Sequence, residues 1–499
     1  MNPKKLFAVV SASLLATYGA TSLADIAPAT DRIIIKYKKV QSNGSSVADV
    51  NLNRPLMVAG KPLKHLRRTS TGAQVYKIGE SVDLATAEKI AKELSNKSHV
   101  MYAEPDYIMT KQQVPNDSRF SEQWNYHDST GGINLPKAWN ISTGSKDVVI
   151  AVVDTGVRPH ADLRANLVSG YDFISDSDNA NDGSGRDSNE YDPGDAARAG
   201  ECGFNSPSRD TTSSWHGTHV AGTIAATSNN GSGVSGVAWN AKILPVRVLG
   251  KCGGYTSDIT DGMRWAAGFK VQGVPTNSYP AQVINLSLGG YGRCSSTYRY
   301  TIEDIVEKGV TVVVAAGNES MNAANASPGN CPDVINVAAT NRDGNKSWYS
   351  NYGSKVTVAA PGGETNYRNS DNELVWEDKS QGILSTLNSG DDRPGSDNYE
   401  FYQGTSMAAP HVAGVVALMY SVNPDITPSQ VKSILTDTAR DFPNNSKCHS
   451  YGCGAGIIDA YAAVKKAKSL VRSTETEPGS GGTGGNCYFD TWDWRWVCI

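Results

Sequence analysis

The chain has no Cys-x-x-Cys pair among its eight cysteines, no His-Glu-x-x-His run and no large surplus of either charge, and each absence removes a class of function. Without closely spaced thiols, or histidines four apart flanking a glutamate, neither a structural zinc site nor zinc-dependent hydrolysis has its usual ligand pattern. With 46 Lys and Arg against 50 Asp and Glu, the net charge is −4, which leaves no basic footprint for nucleic acid. A membrane anchor is missing as well: after Lys4-Lys5 the apolar stretch Leu6 to Leu15 is well short of the roughly 20 residues that span a bilayer. With Ser22-Leu23-Ala24 behind it, this start reads as a signal peptide over residues 1–24, so export is expected and a membrane partner is not.

At 499 residues the chain is too long for one ordinary core, and it predicts a large domain with accessory pieces. In an exported chain, eight cysteines are expected to form disulfides. Cys448 with Cys453 and Cys487 with Cys498 are close enough to be local pairs, which leaves Cys202 with Cys252 and Cys294 with Cys331; sequence does not settle the connectivity.

The most informative stretch is Gly404-Thr405-Ser406-Met407-Ala408-Ala409-Pro410, which sets a serine where an apolar helix begins. The unpaired amides of a helix start can hold the oxyanion formed when such a serine attacks a carbonyl. Pro410 reads here as a first-turn proline, whose missing N–H has no partner to lose. A serine hydroxyl needs a base, and the base needs an orienting group. His216 opens His216-Gly217-Thr218-His219-Val220-Ala221-Gly222-Thr223, and Asp154 ends the run Val148 to Val153.

Together, Asp154-Thr155-Gly156-Val157, the His216 motif, Ala315-Ala316-Gly317-Asn318 and the Ser406 motif resemble the subtilisin-type serine proteases, the subtilases, and within them the thermitase-like secreted bacterial branch. The resemblance runs over residues 148–422 and continues into the flanks. It implies a serine endopeptidase acting on protein substrates through an acyl-enzyme, with Asp154, His216 and Ser406 as the triad and Asn318 as oxyanion donor beside the Ser406 amide. It further implies that Ser287-Leu288-Gly289 and Cys252-Gly253-Gly254 are two edges that clamp an extended peptide as an added strand. Ala315, Ala316 and Gly317 are small enough to leave room for a substrate side chain.

Strands are predicted at Val148–Val153, Ala241–Val248, Gln282–Leu288, Val310–Ala315, Asp333–Ala338 and Lys355–Val358, several of them nearly all apolar, as doubly covered strands are. Helices are predicted to start near His216, Ser257, Thr297, Ser406 and Pro428. The fold class is therefore α/β, a doubly covered and mainly parallel sheet with its site at the carboxyl ends of the strands. Residues 25–113 form a separate α+β unit, with a strand over Arg32 to Tyr37, a helix over Leu84 to Leu94 and the segment Val100 to Asp106. That unit resembles a subtilase's inhibitory propeptide, cut near Gln113 and Val114. The catalytic domain spans 114–470, a Gly/Ser/Thr-rich linker 471–486 and a Cys/Trp-rich tail 487–499, in which Trp492, Trp494 and Trp496 alternate. A monomer is expected, with the propeptide as intramolecular inhibitor.

Other readings of these residues are weaker. An aspartic protease needs two aspartates sharing a proton, and no second Asp-Thr-Gly or Asp-Ser-Gly occurs. An inactive binding or adhesion protein of the same fold has no need to keep all four site residues. His219 and His411 read as buried structural histidines. Structural calcium is the cofactor implied by the resemblance: Asp117, Asp162 and Asn230 would give side-chain oxygens, and Thr227, Ser232 and Val234 backbone carbonyls. A second acidic loop, Asp172 to Asp195, offers Asp182, Asp187, Asp192 and Asp195 as further ligand candidates, or is a solvated surface loop.

Overall fold

A computed structural model describes residues 29–38, 56–58, 60–107, 114–203, 207–368, 374–376, 378–471 and the short strands 487–490 and 495–498. The expected signal peptide, the cut near Gln113, the linker, and Trp492 and Trp494 of the tail lie outside them. The chain divides into two compact units, one ending at Lys111 and the other starting at Gln112.

In the first unit, β1 (Ala29–Tyr37), β2 (Leu56–Val58), β3 (Lys61–Arg68), β4 (Gln74–Asp83) and β5 (Val100–Pro105) form an antiparallel sheet in the order β2-β3-β4-β1-β5. Alternate residues such as Ile33, Ile35, Ile78 and Leu63 are buried, and helix α1 (Leu84–Ser95) covers them with Ile90 and Leu94. Asp83 caps that helix by accepting from the Thr86 amide at 2.8 Å, satisfying one of the helix's unpaired donors.

The second unit is built on seven strands: β6 (Val149–Asp154), β7 (Tyr171–Asp172), β8 (Lys242–Arg247), β9 (Val283–Leu286), β10 (Thr311–Ala315), β11 (Ile335–Thr340) and β12 (Val358–Pro361). Their order is β12-β11-β10-β9-β6-β8-β7, and every pairing is parallel. Alternation across the pleat sends Ile150, Val152, Val313 and Val337 to one face and Val149, Ala151, Val153, Val312 and Val314 to the other. Helices α2 (His216–Ala225), α5 (Thr405–Val422), α6 (Pro428–Thr438) and α7 (Ala460–Ser469) cover the first face; α3 (Thr256–Ala266) and α4 (Ser296–Glu307) cover the second. The expected doubly covered sheet is thus present. Helix α5 is apolar on all sides, as a helix buried in a core must be; its length and apolarity would also suit a membrane span, but here it lies inside the core.

Two expectations need correcting. The last predicted strand sits three residues later, at Val358–Pro361, because Val358 to Pro361 pair with β11 whereas Thr357 already bonds the Ala455 amide. Pro410 is not in the first turn: α5 starts at Thr405, so the proline lies inside the helix. Disulfides join Cys202 to Cys252, Cys294 to Cys331 and Cys448 to Cys453. In the tail, residues 487–490 pair antiparallel with 495–498, which sets Cys487 opposite Cys498.

Gly414 marks the tightest point of α5. A Cβ there would lie 2.5 Å from Val237 Cβ, so the helix approaches its neighbour only because this residue has no side chain. Alanine at a helix interior normally gains about 1 kcal/mol over glycine, but overpacking a filled core costs about 1–3 kcal/mol. Gly414→Ala is therefore expected to lower the unfolding midpoint; a raised midpoint in a thermal melt would show that Val237 gives way.

Candidate active site

Asp154 is the last residue of β6 and is fully buried. Its Oδ1 accepts from the Thr155 amide at 2.8 Å and meets His216 Nδ1 at 2.7 Å. His216 is the first residue of α2, and the approach of that helix to the Asp154 turn depends on Gly217. A Cβ on Gly217 would lie 2.2 Å from Gly156 O and 3.2 Å from Asp154 Cβ. Instead, the Gly217 amide donates to Thr155 Oγ1 at 3.1 Å. Burial opposes charging of the His216 imidazole, but the charge and hydrogen bond of Asp154, with Asp195 and Asp192 adding to them, outweigh it and raise its pKa above the ordinary 6.5. The arrangement stabilises an imidazolium, as a proton acceptor requires.

Ser406 is the second residue of α5, after Gly404 at φ +150°. Its Oγ donates to Ser287 O at 3.1 Å, and Ser287 Oγ donates back to Ser406 O at 2.8 Å. The second bond explains Pro410: a proline has no N–H for the carbonyl four residues earlier, and that carbonyl belongs to Ser406. The freed acceptor is taken by Ser287, which in turn accepts from Asn285 Nδ2 at 2.9 Å. In this structure the Ser406 hydroxyl thus bonds the Ser287 backbone rather than His216. Asn318 lies three residues beyond β10; its Oδ1 accepts from the Thr405 amide at 2.8 Å and from Thr405 Oγ1 at 2.9 Å. Its Nδ2 lies 3.7 Å from where a Cβ on Gly404 would stand.

His216, Asn318 and Ser406 line one open cleft of about 760 Å³, and all eight expected substrate-contacting residues line it with them: Gly253, Gly254, Ser287, Leu288, Gly289, Ala315, Ala316 and Gly317. Asp195, Tyr291, Arg293 and Glu319 line it too, and sequence reasoning did not find them as cleft residues. Asp195 sits in a run of aspartates that looked alike, and exposed Tyr291 and Arg293 carry no motif.

The structural histidines are as expected. His219 Nε2 faces the carbonyls of Ile383 and Glu400, and burial holds its pKa down to about 3. His411 Nδ1 donates to Met407 O at 2.8 Å, Nε2 meets Asn125 Nδ2 at 2.7 Å, and burial holds its pKa down to about 4.

The first group of metal candidates converges. Asp117 accepts from the amides of Asn229 and Asn230 and from Ser235 Oγ; Asp162 accepts from Asn230 Nδ2 at 2.8 Å and from the Val234 amide at 3.0 Å. Asn230 Nδ2 also meets Thr227 O at 3.0 Å, and the Ser232 amide donates to Asn230 Oδ1 at 2.8 Å. The second group does not converge. Asp182 pairs with Arg247 Nη1 at 2.9 Å, Asp187 accepts from Ser184 Oγ at 2.6 Å, Asp192 from Thr155 Oγ1 at 2.7 Å, and Asp195 from Ser214. Among the described residues, no three His, Cys, Asp or Glu side chains gather as a metal cluster. The partners of these four carboxylates are four different residues, Arg247, Ser184, Thr155 and Ser214, rather than one another's ligand neighbours. Burial, with the charge of Asp195 adding to it, pushes the Asp192 carboxyl up to about 7, against the opposing bonds from Thr155 and Gly194.

A parallel sheet covered on both faces, with the Asp154–His216 pair and Ser406 gathered at one cleft beyond its carboxyl edge, defines the class as an α/β protein whose site lies where such sheets hold their ligands. The subtilase family pattern matches residues 145–455. An extracellular protease of Xanthomonas campestris pv. campestris is 49% identical over 412 residues, 82% of this chain and 67% of that one. An extracellular basic protease of Dichelobacter nodosus is 41% identical over 443 residues, 87% of this chain and 70% of that one. Among solved structures, a protease from Pseudoalteromonas arctica PAMC 21717 has 56% identity and a TM-score of 0.66, covering 71% of this chain and 100% of that one. The chain belongs to the subtilase family and is a secreted, subtilisin-like serine peptidase.

The buried histidines carry a pH signature. A base whose folded pKa lies below its unfolded value of about 6.5 binds more protons unfolded, so its contribution is full above pH 6.5 and is lost as pH falls toward the folded pKa. Asp172 and Asp192, whose carboxyls burial pushes to about 7, titrate with the opposite sign. A difference between variants isolates the imidazole. His411→Gln is expected to make stability less steep between pH 6.5 and about 4, by about 1.4 kcal/mol per pH unit. Denaturant unfolding on a Ser406→Ala background checks this; parallel curves for the two chains would refute it.

Proposed function

We propose that this chain is a self-maturing endopeptidase in which Ser406 attacks the peptide carbonyl, His216 takes its proton and Asp154 holds the imidazole. The observation that carries the reading is the 2.7 Å contact of Asp154 Oδ1 with His216 Nδ1, at a cleft whose other wall carries Ser406 and Asn318. In the tetrahedral intermediate the carbonyl oxygen is an oxyanion, to which the Ser406 amide and Asn318 Nδ2 supply hydrogen bonds; its collapse breaks the C–N bond, the His216 imidazolium gives its proton to the leaving amine, and the acyl-enzyme remains for water to hydrolyse. To reach His216, the Ser406 hydroxyl leaves Ser287 O. The substrate backbone lies as an added strand between the edges at Gly253-Gly254 and Ser287-Leu288-Gly289. Protein chains are the substrate, as for the two extracellular relatives.

The organisation that follows is a signal peptide over 1–24, an inhibitory propeptide over 25–113, the catalytic domain over 114–470, the linker over 471–486 and the tail over 487–499. An all-parallel sheet is slow to fold because its pairings are non-local, and a propeptide that keeps the site blocked meanwhile suits that delay.

Calcium fits the first metal group as a structural ion. The Asp117 and Asp162 carboxylates repel one another, and burial with that repulsion raises the Asp162 pKa above its usual value. Thr227 Oγ1 is a buried oxygen with no hydrogen-bond partner. Turning the Asn230 amide over directs its oxygen where Asp162 and Thr227 O already point. Hard oxygen donors of this kind suit calcium, which when bound neutralises the carboxylates.

Ser406→Ala is expected to fold but to keep residues 25–113 attached, and Asn318→Ala to mature slowly with turnover lower by roughly 100- to 1,000-fold. Purified Ser406→Ala that processes itself fully, with no other protease present, would refute the nucleophile.

Excess chelator after dialysis is expected to lower the melting midpoint of the Ser406→Ala chain, since an ion held only by the folded state at 100 times its Kd stabilises by about 2.7 kcal/mol. Asp117→Ala and Asp162→Ala are expected to abolish that shift. Identical melts with and without chelator would remove calcium from the reading.

A further inference from the structure

Two aspartates of one short segment reach the two turns that carry Asp154 and His216. Asp192 is buried; its Oδ2 accepts from Thr155 Oγ1 at 2.7 Å and its Oδ1 from the Gly194 amide at 2.9 Å. A threonine hydroxyl has one proton, and once that is given to Asp192 only lone pairs remain for other neighbours. The neighbour is the Gly217 amide, which donates to Thr155 Oγ1 at 3.1 Å. Thr155's own amide donates to Asp154 Oδ1, the oxygen that meets His216. Three residues after Asp192, Asp195 accepts from both the amide and the hydroxyl of Ser214, each at 2.6 Å. Between Ser214 and His216 stands Trp215, at φ +47°, a left-handed conformation that a bulky residue adopts only when its surroundings enforce it. The segment is anchored at its other end, where Asp182 and Asp172 both hold Arg247, the residue paired with Asp154 across β6 and β8.

We propose that Asp192 and Asp195 are positioning residues that clamp the turn after Asp154 to the start of the His216 helix and so set the distance between the two groups. The proposal rests on the triad reading given above. Asp192 acts through Thr155 and Gly217, on the C-terminal side of His216, while Asp195 acts through Ser214, on its N-terminal side. Because both Asp192 oxygens accept from donors, an asparagine there must turn its NH2 group against one of them. Where that NH2 faces Thr155 it donates to Oγ1, the hydroxyl proton is released from the direction Asp192 gave it, and the lone pair offered to the Gly217 amide is no longer fixed. The five-residue stretch from Thr211 to Trp215 has no regular secondary structure to hold it, so these carboxylates supply what a helix or strand would otherwise supply.

The test uses the full-length chain after processing and a soluble peptide substrate. Active sites are counted by stoichiometric labelling of Ser406 with an organophosphate. Asp192→Asn and Asp195→Asn are each expected to lower kcat by about 30- to 100-fold with KM within about threefold, the effect of misplacing a reacting group by roughly 1 Å. Thr155→Val is expected to match Asp192→Asn, the double variant to be no worse than the poorer single one, and Thr155→Ser, which keeps the hydroxyl, to recover most of the loss. The proposal is overturned by kcat within threefold of the parent in both aspartate variants, by additive losses in the double variant, or by KM rising in step with the fall in kcat. If Asp192→Asn does not accumulate as folded protein, the Thr155→Val and Thr155→Ser pair decides alone: equal kcat for the two refutes the clamp. A parent enzyme whose Ser406 the organophosphate does not label refutes the triad itself, whereas labelled variants with unchanged kcat refute only the clamp.

Discussion

The bond between Asp154 Oδ1 and His216 Nδ1 is the constraint around which the carboxyl edge of the sheet is organised. A carboxylate with no exposed surface is destabilised by several kcal/mol unless its surroundings answer its charge. Here the answer comes from the imidazole and the Thr155 amide on Oδ1, while Oδ2 is buried with no hydrogen-bond partner. That imbalance raises the proton affinity of His216, because its charged form is what the site is built to receive. The geometry is then enforced from outside: Gly217 permits the approach, the Thr155 hydroxyl ties the helix start to the strand end, and Arg247 holds the adjoining loop. Stability and function conflict locally, and the apolar interior on both faces of the sheet supports the conflict.

Much of this was legible in the sequence because its signals are local. A run such as Val148 to Val153 can hardly be other than a doubly covered strand, and Asp154 at its end is carried to the carboxyl edge by that alone. Helix starts at His216 and Ser406 followed from glycine- and alanine-rich periodic stretches, and the structure sets them at His216 and Thr405. Strand ends were less legible. Lys355 to Thr357 looked continuous with Val358, yet strand pairing begins only at Val358, since partner strands and not propensity decide where a ladder starts.

The acidic loop was left open between two readings for a different reason. Spacing along the chain says how many carboxylates a segment has, not which donors lie opposite. The partners of Asp182, Asp192 and Asp195 are Arg247, Thr155 and Ser214, each distant in sequence, so seven aspartates among glycines and serines read equally well as a ligand set or a solvated loop. The grouping of Asn230 with Asp117 and Asp162 came from the family resemblance rather than from spacing, since both aspartates are distant in sequence and only Thr227 and Ser232 are near neighbours.

Pro410 ties Ser406 to Ser287 in a way that neither residue type announces. A proline inside a helix normally costs about 3 kcal/mol through the lost bond and the crowded carbonyl. Here the carbonyl that it leaves free is that of Ser406, and Ser287 takes it while lending its own carbonyl to the Ser406 hydroxyl. The loss is thereby partly offset by two hydrogen bonds, and the segment proposed to hold the substrate backbone is fixed to the residue proposed to attack it. A peptide seated along Ser287-Leu288-Gly289 would be registered to the first turn of the Ser406 helix, so that binding and alignment become one event rather than two. The cost of that proline therefore lies on the link between packing and chemistry, where a regular helix would have had no free carbonyl to offer.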